Sequence, residues 1–272
     1  MNPQQRRPFA VVTGASRGIG FELARVFAEN GFDLLIIAED GEIETAQREL
    51  NQLTASVEST RLDLATEEGV DLLYERIRAS ARPVDALALN AGIGAGGDFA
   101  GETDLREELR LIDRGVRSTV HLCKLAVQDM VARNEGRILF TSSIAATMPG
   151  PYQAVYNASK SFVQSFAEAL RNELGDTDVT VTALMPGPTE TEFFERAEME
   201  DTPLGEAEKD DPAEVARQGF EALMAGREKV VAGSFENRLQ TVAGRFVPDS
   251  AKAEMHRRTA QPATAAERGE ER

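Results

Sequence analysis

"VVTGASRGIG", residues 11–20, decides how this chain is read. Two valines close an apolar run, and glycines follow at positions 14, 18 and 20. From Gly18 the apolar residues recur at intervals of three and four until Gly31. A buried strand, a tight turn and an amphipathic helix with a C-terminal glycine account for that order. A helix starting directly behind such a turn presents unpaired N–H groups and the positive end of its dipole, and its glycines allow close backbone approach. Both features suit a pyrophosphate. A glycine-rich turn on its own is an ordinary loop. Its place between the first strand and first helix of an alternating chain is what phosphate binding demands.

Working outward, apolar runs alternate with helical patterns to about residue 232. Strands are predicted at 8–14, 32–38, 56–64, 84–92, 136–143, 178–187 and 229–233. Helices are predicted at 18–31, within 43–53, and at 66–81, 104–132, 152–174 and 212–225. This alternation predicts an α/β fold with a parallel sheet of about seven strands and helices on both faces. Residues 1–240 read as a single domain and 241–272 as a C-terminal extension. Its end, "RRTAQPATAAERGEER", is polar, and the composition predicts disorder there. Residues 188–211 carry ten acids, two bases and scattered Phe, Met and Leu. They read as a loop or short-helix insertion over one end of the sheet, either a solvated surface segment or, since they follow a strand's C-terminal end, a lid over a substrate.

The 272 residues are enough for one substantial core, and 42% of them are hydrophobic. A formal charge of −16 argues against nucleic acid or an anionic membrane as partner. The single cysteine, Cys123, lies in an apolar helical stretch, so it reads as a buried inert thiol and excludes a disulfide framework. No apolar run reaches membrane-spanning length and no signal peptide is read at the start, so a cytoplasmic location is expected. His121 and His256 are too isolated to suggest a metal site, and none is expected.

"YNASK", residues 156–160, places a phenol and an ammonium one helical turn apart on one face. In isolation that is a surface pair. Here it follows a strand ending in Ser142 and Ser143, in a chain with a phosphate-binding turn. A neighbouring Lys⁺ favours tyrosinate and moves the phenol from its ordinary value of about 10 toward working pH, as general acid–base catalysis requires.

Five stretches in order, "TGASRGIG", "LNAG" (89–92), Ser143, "YNASK" and "PGPTET" (186–191), resemble the classical short-chain dehydrogenase/reductase family over residues 8–235. The resemblance implies a Rossmann-type doubly wound sheet and a nicotinamide cofactor. It implies Tyr156 as general acid/base, Lys160 lowering its pKa and binding the cofactor ribose, and Ser143, rather than Ser142, positioning the substrate oxygen. It implies a cofactor turn formed by Gly14, Ser16, Arg17, Gly18, Ile19 and Gly20. Asn90, Ala91 and Gly92 would pass near the adenosine ribose, and Pro186, Gly187, Thr189 and Thr191 would shape the nicotinamide end. Asp63 resembles the adenine contact, or is an acid of a helix N-cap region.

Glu39, ending the second strand, favours NAD because an acid there repels a 2′-phosphate. Arg17 resembles residues of NADP-binding members and pulls the other way; NAD is the expectation. The sequence departs from the family at Gly115, where an asparagine holding a water relay is common. Glycine keeps its carbonyl and tolerates a helix distortion that could free it. The reading is an NAD(P)-dependent oxidoreductase of a neutral, partly hydrophobic secondary alcohol or ketone, with Phe193, Phe194 and Met199 as an apolar cover. A non-catalytic dinucleotide-binding regulator or scaffold, and dehydration or epimerisation on the same fold, are the alternatives. By the same resemblance, pairing through the fourth and fifth long helices implies a homo-dimer or homo-tetramer.

Overall fold

The computed structural model describes residues 6–53, 56–233 and 247–261. Its centre is a seven-stranded, wholly parallel sheet. The strands are β1 (Phe9–Thr13), β2 (Asp33–Ala38), β3 (Val57–Arg61), β4 (Ala86–Leu89), β5 (Gly136–Thr141), β6 (Val179–Pro186) and β7 (Lys229–Ala232). Their order in space is β3-β2-β1-β4-β5-β6-β7. Every residue of β1, β2 and β4 is buried, which explains their near-continuous apolar runs: a parallel sheet hides both faces. β3 (VESTR) is polar because it is an edge.

Helices α1 (Gly18–Glu29), α2 (Glu42–Leu50) and α3 (Glu67–Ala79) follow the first three strands. α4 (Leu105–Ile112), α5 (Ser118–Ala132) and α6 (Ala154–Glu173) cover the other half, and α9 (Pro212–Met224) packs beside α1. Two apolar cores lie on opposite faces of the sheet. In one, Phe27, Phe32 and Phe220 meet edge to face with centroids 5.0–6.2 Å apart. In the other, Cys123 is buried and its thiol is pushed up to about 12 by burial, which keeps it inert.

Two expectations are revised. The predicted helix over 104–132 is two helices joined by a five-residue π-helical segment, Asp113–Arg117, with Gly115 at its middle. Segment 188–211, read as a loop or short-helix insertion, holds two single-turn helices, α7 (Phe193–Arg196) and α8 (Pro203–Glu206). Its ends are tied together, with Glu190 N donating to Asp210 O at 2.9 Å and Asp210 N to Pro188 O at 2.8 Å. The polar C-terminal stretch, expected to be disordered, begins inside a helix, α10 (Asp249–Ala260), whose Ala260 packs with Phe194, Ala197 and Met199 of segment 188–211. Residues 262–272, the rest of the predicted disorder, lie outside the described residues. The chain leaves β1 toward β3 and returns to β4 on the other side of β1, so a switch point opens between β1 and β4 at their C-terminal ends. Crevices at such points are where ligands bind in open α/β sheets.

Candidate active site

The glycine turn forms the floor of that crevice. Gly14 and Gly18 have φ of +66° and +56°, a region that glycine enters without steric cost. A Cβ on Gly20 would lie 2.0 Å from the Gly14 carbonyl oxygen and 2.4 Å from Asn90 Nδ2, so only glycine fits. Asn90 braces this turn: its Nδ2 donates to Thr13 O at 3.2 Å and Gly14 O at 3.3 Å, while Thr13 Oγ1 accepts from the Asn90 and Ala91 amides, both at 3.0 Å. The side chain expected near the ribose is therefore spent on holding the turn's shape. No side chain caps the N-terminus of α1. The cradle and the uncapped helix end fit a pyrophosphate.

Arg17 and Ser16 face acids. Ser16 Oγ donates to Asp40 Oδ2 at 3.0 Å. Arg17 pairs with Glu42 at 2.8 Å, with Asp40 at 3.8 Å and, from segment 188–211, with Glu192. Ile19 packs against the core from the same turn. The same segment also reaches the turn through Thr191, whose Cγ2 would lie 2.9 Å from a Cβ on Gly18.

At the other end of the crevice, β5 and α6 bring Ser143, Tyr156 and Lys160 together. Ser143 is buried and its Oγ accepts from Ala145 N at 3.1 Å. Ser142 turns away, its hydroxyl donating to the Lys160 carbonyl at 3.3 Å. Lys160 Nζ lies 5.8 Å from the centre of the Tyr156 ring and donates to Thr141 O at 2.9 Å. Gly92 borders it: a Cβ there would lie 3.5 Å from Nζ. Burial pushes the Tyr156 phenol up to about 12, with the Ser143 hydroxyl opposing the rise, and pushes the Lys160 ammonium down to about 8. Among the protein's own groups, desolvation of the phenol outweighs the Ser143 hydrogen bond.

Phe193 closes this end. Its ring centre lies 5.1 Å from that of Tyr156, and its ring atoms fill the space a Cβ on Gly94 would need. Phe194 and Met199, expected to join that cover, are buried instead against α10. Thr189 and Thr191 shape the bend after β6: Thr189 Oγ1 donates to Gly187 O at 2.9 Å, and Thr191 Oγ1 accepts from Phe193 N at 3.3 Å. Pro186 ends the strand, and its carbonyl accepts from Ser143 Oγ at 3.4 Å. Gly115 has open space beside it, the nearest atom to a Cβ being Ser159 Oγ at 3.9 Å. The expected distortion is present there as the π segment, but the Gly115 carbonyl already accepts from Thr119 Oγ1 at 2.9 Å.

Two residues that sequence reasoning missed stand beside Glu39. Arg114 grips both Glu39 oxygens and lies 3.3 Å from Asp63; Arg110 reaches Glu39 at 2.7 Å and Asp63 at 3.0 Å. Burial alone would raise both carboxyls, but the two guanidiniums, together with the Ala65 amide on Asp63, hold them below the usual carboxylate range. Asp63 accepts from the Ala65 amide at 3.0 Å, so it serves the start of α3 as well as this cluster. Arginines spaced i, i+4 on a helix are a common surface pattern; the contact with Glu39 spans 71 and 75 residues of sequence. Among the described residues no group of His, Cys, Asp or Glu is placed to hold a metal, and no helix is long and apolar enough to cross a membrane.

Comparison with known proteins agrees with this geometry. A family model described as short chain dehydrogenase matches residues 8–201. Sulfoacetaldehyde reductase 2 of Chromohalobacter salexigens is 32% identical over 184 residues, 67% of this chain and 73% of that protein. The NADP-dependent 3-hydroxy acid dehydrogenase YdfG of Salmonella typhi is 32% identical over 177 residues, 65% of this chain and 71% of that one. A solved short-chain dehydrogenase from Sphingobium yanoikuyae, in complex with NADPH, has a TM-score of 0.78 at 25% identity over 88% of this chain and 93% of that one. Sheet order, glycine cradle and sequence similarity over most of the length converge, and the chain belongs to the short-chain dehydrogenase/reductase family of NAD(P)-dependent oxidoreductases.

Proposed function

We propose that the protein interconverts a secondary alcohol and a ketone, with Tyr156 moving the hydroxyl proton. The observation that carries this reading is the half-buried Tyr156 beside the buried Ser143, with the Lys160 ammonium 5.8 Å from its ring centre. A nicotinamide dinucleotide, when bound, supplies the hydride donor or acceptor. Ser143 Oγ holds the substrate oxygen. With its pKa near 12, the phenol is protonated at neutral pH and ready to give its proton to a ketone oxygen. In the oxidation direction Tyr156 must take a proton, and positive charge next to it, from Lys160 above all, makes that possible. Lys160 also reaches toward the ribose beside Gly92. Gly14, Ser16, Arg17, Gly18, Ile19 and Gly20 hold the pyrophosphate, and Ala91, Gly92, Glu39 and Asp63 border the adenosine. Pro186, Gly187, Thr189 and Thr191 shape the nicotinamide end.

Glu39 supports NAD as the cofactor, its carboxylate facing the ribose diol. Phe193 over Tyr156 and the acidic lid support a neutral substrate with an apolar portion. The lone buried Cys123 and the acidic surface support a cytoplasmic place of work. Phe99, Ile112 and Phe162, exposed by 61%, 39% and 43%, line one apolar groove between the π segment and α6, and a second copy of the chain covering it supports a homo-oligomer. One observation favours a second reading, a dinucleotide-binding regulator: Gly115 brings no side chain toward Ser159.

The test is a panel of neutral ketones and alcohols with NADH and NADPH, followed by absorbance at the nicotinamide band. Turnover on a neutral ketone that is lost in Tyr156→Phe, with cofactor affinity retained, supports the enzyme. Cofactor binding with no turnover across the panel supports the regulator. Preference for carboxylated or phosphorylated substrates would overturn the neutral-substrate assignment.

A further inference from the structure

A lone acid at the end of β2 would repel a 2′-phosphate outright, but Glu39 is not alone. Arg114, whose side chain is 9% exposed, grips both of its oxygens, and Arg110, 46% exposed, bonds Oε2 at 2.7 Å. Arg61 Nε donates to the Glu39 main-chain carbonyl at 2.7 Å. Asp63 is the second acid in the cluster, 3.0 Å from Arg110 and 3.3 Å from Arg114. Two guanidiniums thus face two carboxylates, a third meets the Glu39 main chain, and the cluster carries no net negative charge. Repulsion of a phosphate there rests on where the Glu39 carboxylate sits, because it occupies the donors that would otherwise face the ligand. A guanidinium pairs with phosphate as readily as with carboxylate, in the same two-point geometry.

We propose that Arg110 and Arg114 set which dinucleotide the crevice accepts: they hold Glu39 toward an unmodified ribose diol, and without that acid they form a site for a 2′-phosphate. This rests on the reading that the crevice binds a nicotinamide dinucleotide. Arg114, buried, is the positioning member. Arg110, half-exposed on the outer turn of α4, can turn onto a phosphate without unpacking the core. The last turn of α4 supplies Arg110, and the π segment that follows it supplies Arg114 four residues on.

The experiment is calorimetric binding of ADP-ribose and of its 2′-phosphorylated form, neither of which can be turned over. Wild type is expected to favour ADP-ribose. In Glu39→Gln, which keeps the shape and removes the charge, affinity for the 2′-phosphorylated probe should rise by about tenfold or more, the worth of one charge-assisted hydrogen bond. Adding Arg110→Ala should erase that gain. A gain that is absent in Glu39→Gln, or that survives Arg110→Ala, overturns the proposal. Wild type that binds neither probe overturns the dinucleotide reading itself, and the proposal with it. Wild type that binds ADP-ribose while Glu39→Gln shows no gain overturns the proposal alone.

Discussion

The two ends of the crevice handle charge in opposite ways. At the Glu39 end, Glu39 and Asp63 each meet two guanidiniums, which hold both carboxyls below the usual range. At the other end, Tyr156 and Lys160 are half-buried, no carboxylate among the described residues pairs with either, and desolvation drives each toward its neutral form, to about 12 and about 8. A recognition surface needs charges that do not move, and pairing fixes them. A proton-transfer site needs groups whose protonation is within reach, and desolvation without a counter-charge provides that.

The most severe way to break this contrast is at the phenol. Tyr156→Phe should lower turnover by about 10²–10⁴-fold, the usual worth of a general acid–base group, while calorimetric affinity for ADP-ribose stays unchanged. A parallel loss of affinity would mean that the two ends are not separate. Lys160→Met comes next. It should lower turnover and weaken cofactor binding, and it should move the tyrosine-dependent limb of the pH–rate profile to higher pH, because it removes the nearby positive charge that favours tyrosinate. A limb that stays in place would show that Lys160 does not act on the phenol.

Gly20→Ala tests the cradle between the two ends. Its Cβ would meet backbone at 2.0 Å, so overpacking of about 1–3 kcal/mol is expected, read as a lower melting temperature and weaker ADP-ribose binding. The smallest effect is on acid stability. Glu39 and Asp63 have folded pKa values below their unfolded ones, so their contribution is present above the ordinary carboxylate range, about 4, and is lost as pH falls through the folded values. Glu39→Gln should narrow the drop in melting temperature between pH 7 and pH 4. An unchanged drop would show that the arginine cluster adds nothing to stability.

Much of this was legible along the chain. All seven strands appear where strands were read; β1, β2 and β4 carry the near-continuous apolar runs that a fully covered parallel sheet leaves, while the edge strand β3 is polar. The site triad was legible because Tyr156 and Lys160 are four residues apart on one helix, and helical geometry turns that spacing into proximity. The break at Asp113–Arg117 was half legible: Gly115 permits it, but a π segment depends on which neighbours the widened turn can satisfy, here Thr119 on the Gly115 carbonyl. The C-terminal helix was not legible, since α10 is polar along most of its length and its buried contacts, Ala260 among the side chains of segment 188–211, come from elsewhere in the chain.

The sequence by itself determined the order of strands and helices, the phosphate-fitting turn and the phenol–ammonium pair, all of which rest on local spacing and on hydrophobic period. Tertiary structure alone decided that Asn90 serves the turn, that Phe193 covers Tyr156, and that Arg110 and Arg114 hold Glu39. These contacts join residues 37 to 77 positions apart, and local spacing carries no information about which distant side chains a sheet's topology will bring face to face.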